Sequence, residues 1–304
     1  MNLNVKPLAI ITATYNRAYT LPRLYESLKK QTVKEFRWLI IDDGSNDNTE
    51  TLVKKWISEG LLDIEYLKKR NGGKHTALNL GIANILEEYT FMLDSDDYIV
   101  DDAVESILEW ISEIDGKSDL IAVSGLRGYK EDNSLSVLGQ FPVNKRYVDA
   151  TNLQRRTKFL MGDKAEIYKT EVLKKYQFSE YENEKFLPED VVFNKIALEG
   201  LKVRWYNKII TISEYLPDGL TASVNQSHFE NNIKGYEESY YLNWVGLKFP
   251  YNYSSAAEFH MKMKRAGKNA KEEVSVLKIN CIQYCTICIL AKFKKLINSI
   301  SSRR

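Results

Sequence analysis

The chain is poor in the residues that crosslink, bind soft metals or cross a bilayer. Cysteine occurs three times, at Cys281, Cys285 and Cys288, all within one short segment. That placement cannot staple distant parts together. With no histidine or fourth cysteine beside it, the spacing of four and three falls short of a zinc site. The three thiols read as small apolar residues in a reducing compartment. No apolar run reaches the ~18 residues of a membrane span. The opening stretch MNLNVKPLAIITATYN lacks the charged and long apolar regions of a secretory leader, so the expected location is cytoplasmic. Internal repeats and low-complexity tracts are also missing. What remains, 44% apolar and 28% charged residues over 304 positions, suits one large domain or one domain with an appendage.

A strong net charge is absent too, at +2 overall, but the balance is uneven. Residues 261–304 hold 11 Lys and Arg against Glu272 and Glu273, which is +9 and leaves −7 on residues 1–260. A basic end on an acidic body suits a polyanionic surface such as anionic lipid; no nucleic-acid partner is expected.

The chain does contain a regular alternation. Leu8–Ala13, Phe36–Ile41, Ile64–Leu67 and Thr90–Leu93 are short apolar runs that read as strands. Leu21, Leu24, Tyr25 and Leu28, then Leu52, Val53, Trp56 and Ile57, then residues 77–86, carry helical spacing between them. Strand and helix alternating at this pitch predict βαβ units and a mostly parallel sheet flanked by helices. Residues 120–124, 203–206 and 209–212 read as further strands, 151–175 and 189–199 as helices, and the chain beyond 225 as helical. In such sheets ligands sit beyond the carboxyl ends of the strands. Three of those ends carry Thr14-Tyr-Asn-Arg17, Asp42-Asp-Gly-Ser45 and Asp94-Ser-Asp-Asp97, so the three polar clusters are expected to share one crevice. Three carboxylates in four positions raise one another's pKa unless a cation sits among them, and oxygen ligands alone suit Mg²⁺ or Mn²⁺. The plain alternative is a solvated loop that caps the next helix.

The series Thr12-Ala-Thr-Tyr-Asn-Arg17, Ile41-Asp-Asp-Gly-Ser-Asn-Asp47, Asn71-Gly-Gly-Lys-His-Thr-Ala-Leu-Asn79, Asp94-Ser-Asp-Asp97 and Glu189-Asp190 resembles the family 2 glycosyltransferases of the GT-A fold. Each motif is weak alone; five in order over residues 5–220 are not. The resemblance implies a GT-A domain over 1–222, with a nucleotide-binding half (1–100) and an acceptor half (101–222), followed by a helical C-terminal extension (223–304). It further implies inverting transfer of a sugar from a nucleotide donor, usually a UDP-sugar, with Mn²⁺ or Mg²⁺.

The resemblance also distributes roles. Thr12, Tyr15, Asn16 and Arg17 line the nucleotide pocket. Asp43 accepts the uracil imide, although Asp-Gly-Ser-Asn is good turn chemistry on its own. Gly73 and Lys74 open a helix whose N-terminus favours anions. Asp94 and Ser95 face the ribose or sugar, and Asp96 and Asp97 hold the metal, the two not being separable at this stage. Asp190 is the general base that takes the acceptor's hydroxyl proton, while Glu189, Gly162 and Asp163 form the acceptor side. First-turn acids such as Glu189 and Asp190 also favour a helix N-terminus with no catalysis implied. Tyr215–Thr221 is expected to close over pyrophosphate. The Gln-x-x-Arg-Trp motif of processive synthases is missing, which points to single additions to a glycan or lipid-linked acceptor in capsule, exopolysaccharide or lipopolysaccharide assembly. The rivals are a nucleotide-sugar-binding scaffold with a dead site and a metal-dependent nucleotidyltransferase; the latter would want a Gly-rich basic loop after the first strand, where Thr-Tyr-Asn-Arg stands.

Near the C-terminus, Ile282, Cys285, Ile289, Phe293, Leu296 and Ile300 repeat at three and four beside Lys292, Lys294 and Lys295. This basic helix reads either as one lying on the inner face of the plasma membrane or as one docked on the domain or on a second copy in a homodimer.

Overall fold

The computed structural model describes residues 5–131, 134–214 and 225–301. Ten strands form one sheet: β1 (Leu8–Thr14), β2 (Phe36–Asp42), β3 (Ile64–Lys68), β4 (Tyr89–Met92), β5 (Tyr98–Ile99), β6 (Leu120–Glu131), β7 (Ser134–Val137), β8 (Tyr147–Ala150), β9 (Lys164–Lys169) and β10 (Lys202–Ile212). The spatial order is β3-β2-β1-β4-β9-β6-β10-β5, with β7 beside β6 and β8 beside β10. Helices α1 (Leu21–Lys29), α2 (Thr49–Glu59), α3 (Lys74–Asn84), α4 (Ala103–Ile114), α5 (Thr170–Lys175) and α6 (Asp190–Leu198) belong to this layer. Beyond it follow α7 (Gln226–Asn231), α8 (Ile233–Gly246), α9 (Tyr251–Arg265), α10 (Ala270–Leu277) and α11 (Cys281–Ser301).

The continuous apolar character of β1 and β2 has a simple cause: both faces of these strands are covered. Alternate residues therefore enter different cores. Leu8, Ile10, Trp38 and Ile40 pack with α1, α2 and α4 on one side. Ala9, Ile11, Leu39 and Ile41 pack with α3 and α6 on the other. Trp38 centres the first core. It stacks on Tyr25 and Trp56, and its indole N–H donates to the Thr12 hydroxyl at 3.0 Å.

The parallel pattern holds for β3, β2, β1 and β4. Beyond β4 the sheet is mixed: β9 runs antiparallel to both β4 and β6, and β10 returns parallel to β6. Residues 151–175, expected to be helical, instead hold two 3₁₀ turns, strand β9 and only the short α5. Alternation in Lys164–Lys169 explains the difference, since Ala165 and Ile167 enter one core and Tyr168 the other. The order reverses where β1 is flanked by β2 on one side and β4 on the other, and a crevice opens at the carboxyl ends there.

Helices α7 to α11 build a third core around Phe229, Tyr240, Phe259 and Leu277. One of them, α8, packs across α6, so the helical end also touches the sheet layer.

Replacing Trp38 with Ala is expected to cost about 3–5 kcal/mol. Phe at this position should cost less in packing but leave the Thr12 hydroxyl unsatisfied. Urea midpoints of the two variants against the parent check this; equal midpoints for Ala and parent would remove Trp38 from the centre of the core.

Candidate active site

A crevice of 1120 Å³ opens beyond β1, β2 and β4, lined among others by Thr14, Tyr15, Arg17, Asp43, Gly73, Lys74, Asp94, Ser95, Asp96, Asp163, Glu189 and Asp190. It therefore gathers the ends of three strands, the start of α3 and the start of α6. Thr12 and Asn16 are corrections to the expected lining. Thr12 is fully buried, with its hydroxyl bound to Trp38. Asn16, at φ +52, ties the β1 and β2 ends together: its N–H donates to Ser45 Oγ at 2.8 Å, and its side-chain oxygen accepts from the Asn46 N–H at 2.9 Å.

Asp43 is buried and holds the loop that follows β3. Lys69 Nζ and the Gly72 N–H bond one carboxylate oxygen, both at 2.9 Å. The Asn71 amide at 3.0 Å and the Gly73 N–H at 2.7 Å bond the other. Four donors occupy the roughly four lone-pair sites of a carboxylate, so a uracil imide must displace Lys69 or Asn71 to bond there. Gly73 admits no side chain: its φ is +97, and a Cβ would stand 2.0 Å from the Lys185 carbonyl oxygen.

Two cations hold the acidic cluster. Lys74, the first residue of α3, pairs with Asp94 and with Glu189, the latter at 2.5 Å. Arg127, on β6, reaches Asp94 at 3.1 Å and Asp97 at 2.7 Å. Burial works against an ionised Asp94, but Lys74 and Arg127 hold its carboxyl well below the usual range. Burial works against Lys74 as well, and Asp94 and Glu189 keep it firmly charged. Asp96 makes no ion pair among the described residues. Burial and the neighbouring Asp94 push its carboxyl upward, as expected of an anion that lacks a cation. Asp97 is 4% exposed and is not part of the crevice lining. The ambiguity between Asp96 and Asp97 is thereby reduced, since only Asp96 offers a carboxylate to the crevice.

Asp190 begins α6, where the helix dipole favours a carboxylate. Ser239, on α8, points its hydroxyl between both Asp190 oxygens, 3.0 Å from each. Asn194, one turn along α6, lies 3.5 Å from Asp190 and joins Asn152 and Asn243 in a chain of amides. Burial raises the Asp190 carboxyl above its ordinary value, while Ser239 and Asn243 oppose the rise.

Several lining residues escaped sequence reasoning: Arg127, Asn152, Arg155, Glu166, Lys185, Phe186 and Phe193. Glu166 faces the crevice from β9, and burial pushes its carboxyl up to about 7 against Arg155 and Arg127. Lys164, three per cent exposed, is lowered to about 8 by burial and by Arg155. An Arg and a Glu inside otherwise apolar strands were the available signal. Of the expected acceptor residues, Asp163 and Glu189 line the crevice. Gly162 serves instead as a close backbone contact with Gly139, its φ +86 and its carbonyl bound by Arg155 and Lys164. The Tyr215–Thr221 segment lies outside the described residues.

Among the described residues, no three His, Cys, Asp or Glu side chains are grouped to hold a metal. Asp96, which lines the crevice beside Asp94 with no ion pair among the described residues, still fits a Mg²⁺ or Mn²⁺ ion, because such ions are commonly held by one or two carboxylates together with substrate phosphates and water.

Known proteins agree with this architecture. The poly(ribitol-phosphate) beta-N-acetylglucosaminyltransferase TarP of Staphylococcus aureus is 38% identical over 121 residues, a match covering 38% of this chain and 36% of TarP. Glycosyltransferase GlyA of Streptococcus pneumoniae is 24% identical over 88% of this chain and 42% of GlyA. The chain thus spans less than half the length of these curated relatives. Residues 1–349 of S. aureus TarS, solved with UDP-GlcNAc, share the fold at a TM-score of 0.62 and 20% identity, over 92% of this chain and 79% of that one. A mannosyltransferase from Pyrobaculum calidifontis, solved with GDP-Man and Mn²⁺, does so at 0.54 and 15%, over 95% and 88%. The family model for glycosyl transferase family 2 matches residues 9–176, more than half of the chain, and the protein belongs to that family.

Proposed function

We propose that this chain transfers a sugar from a UDP-sugar to a hydroxyl of a cell-surface polysaccharide or teichoic-acid-type polymer, with inversion at the anomeric carbon. The observation that carries the reading is a half-buried carboxylate, Asp190, lining the same crevice as the Asp94-Ser-Asp96 cluster. Donor choice is supported by S. aureus TarS having been solved with UDP-GlcNAc. The polymer class is supported by the names of TarP and of the Bacillus subtilis minor teichoic acid protein GgaB, which is 28% identical over 117 residues, 38% of this chain and 13% of GgaB. Two buried polar atoms of crevice-lining residues, Thr14 Oγ1 and His75 Nδ1, lack a partner among the described residues. A bound nucleotide would satisfy such groups. Burial lowers the His75 pKa, so its ring stays neutral and keeps one acceptor nitrogen.

In the proposed reaction Asp190 accepts the proton of the acceptor hydroxyl. The oxygen attacks the anomeric carbon as the bond to the UDP oxygen breaks, and a single displacement inverts that centre. Lys74 and Arg127 offset negative charge on the cluster side of the crevice. Asp96 would hold the divalent ion, which when bound neutralises charge on the leaving diphosphate. Ser239 holds Asp190 in one orientation and keeps it ionised to lower pH.

Four experiments test this. UDP-sugar turnover with Mn²⁺ is expected to fall by about 100-fold or more in Asp96→Ala, and equal turnover in variant and parent would sink the metal role. Asp190→Asn should lose roughly 10²–10⁴ in kcat while the thermal shift produced by UDP is unchanged. Stabilisation by GDP-sugars but not by UDP-sugars would overturn the donor assignment. Ser239→Ala should cost about tenfold in kcat, the scale of one hydrogen bond to a charged group. It should also move the acid limb of the pH profile upward. The sign follows from the base: it must be ionised to act, and removing a donor to the carboxylate raises its pKa further. An unchanged limb would remove Ser239 from the mechanism.

A further inference from the structure

Helix α11 presents two apolar faces, and only one is packed against other described residues. Ile287 and Ala291 are buried in the third core, and Lys294 Nζ binds the Ser254 carbonyl of α9 at 2.7 Å. These contacts fix the helix against α9. On another face Ile282, Ile289, Phe293 and Ile297 are 79%, 54%, 59% and 60% exposed. Steps of seven, four and four put these four side chains in one stripe. A helix of 21 residues is about 30 Å long, so the stripe is extended as well as apolar.

We propose that this face of α11 lies in the interface of a bilayer bearing anionic lipid. Charge selects that occupant. Lys264, Arg265, Lys271, Lys292 and Lys295 are exposed in the same region. The two acids of residues 261–304 do not cancel them: Glu273 is 2% exposed and bound to His260 at 2.8 Å, while Glu272 is spent on Lys268 and the Asn269 N–H. A second copy set against the stripe would bring two segments of formal charge +9 together, which like-charge repulsion opposes. A lipid surface meets the apolar stripe with acyl chains and the lysines with phosphates. No single helix among the described residues is long and apolar enough to cross a membrane; α10 and α11 reach that length and composition only together, across a bend of 111°. With α11 already held against α9, we place it along the surface.

The test is co-sedimentation of the whole 304-residue chain with phosphatidylglycerol and with phosphatidylcholine vesicles, alongside light scattering of the free protein. The parent is expected to bind phosphatidylglycerol and to be released by salt. Each basic residue removed at the surface should weaken partition by roughly fivefold. Ile289→Glu with Phe293→Glu should abolish binding while leaving the melting temperature unchanged, because both side chains are exposed. Binding equally retained by that variant, or no binding by the parent, overturns the proposal. So does a parent that is dimeric in solution and becomes monomeric on the same substitutions, which would assign the face to a second copy. UDP-sugar turnover in solution should be unaffected in every variant, so this outcome is separable from that of the proposed reaction.

Discussion

Crowded negative charge at the ends of parallel strands is the constraint around which the crevice is arranged. Asp94, Asp96 and Asp97 sit within four positions, and Glu189 and Asp190 stand at the start of α6 lining the same crevice. Lys74 and Arg127 make this arrangement tolerable. Each bridges two acids, and each comes from an element other than the cluster's own. The Arg127–Asp97 pair is the most buried of them, and removing one partner there would leave a desolvated charge alone. The pairs therefore fix the relative placement of β4, α3, β6 and α6. Asp96 and Asp190 stand outside these pairs, and Asp96 keeps a carboxylate for a ligand.

The helical end of the chain takes part in this arrangement and is more than an appendage. Through α8 it lends Ser239 to Asp190 and Asn243 to the amide chain beside it. A carboxylate at a helix N-terminus already gains from the dipole. The hydroxyl adds direction, since one donor equidistant from both oxygens restricts the rotation of the group. Packing in the third core thereby acts on the chemistry of the first two, because Tyr236 and Tyr240 on the same helix are anchored there.

Much of this was legible in the residues. The apolar runs ending in polar clusters placed β1, β2 and β4 and the crevice beyond them, because strand periodicity and the switch in strand order are local and topological rules. The side-chain direction at a strand end was not legible. Thr12 and Thr14 are two residues apart in β1, yet the Thr12 hydroxyl is committed to an indole 26 residues away. Arg127 escaped notice for a similar reason, since its partners lie 30 and 33 residues earlier. Lys164–Lys169 falls within residues 151–175, which read as helical from the sequence. Its strand character comes from pairing with β4 and β6, a tertiary effect that overrides local preference.

Gly73 shows what such a fold sets by leaving an atom out. Its α-carbon lies against the backbone of Lys185, the segment that leads into Glu189 and Asp190. Two main chains meet with no side chain between them, so the separation of the loop after β3 from the segment before α6 is set by bare backbone thickness, as by the thinnest shim available. Side chains vary in length and can swing; a peptide against a glycine does neither. The span between the two sides of the crevice is in this sense a manufactured dimension, and the chain holds it to a tolerance that no rotamer can loosen.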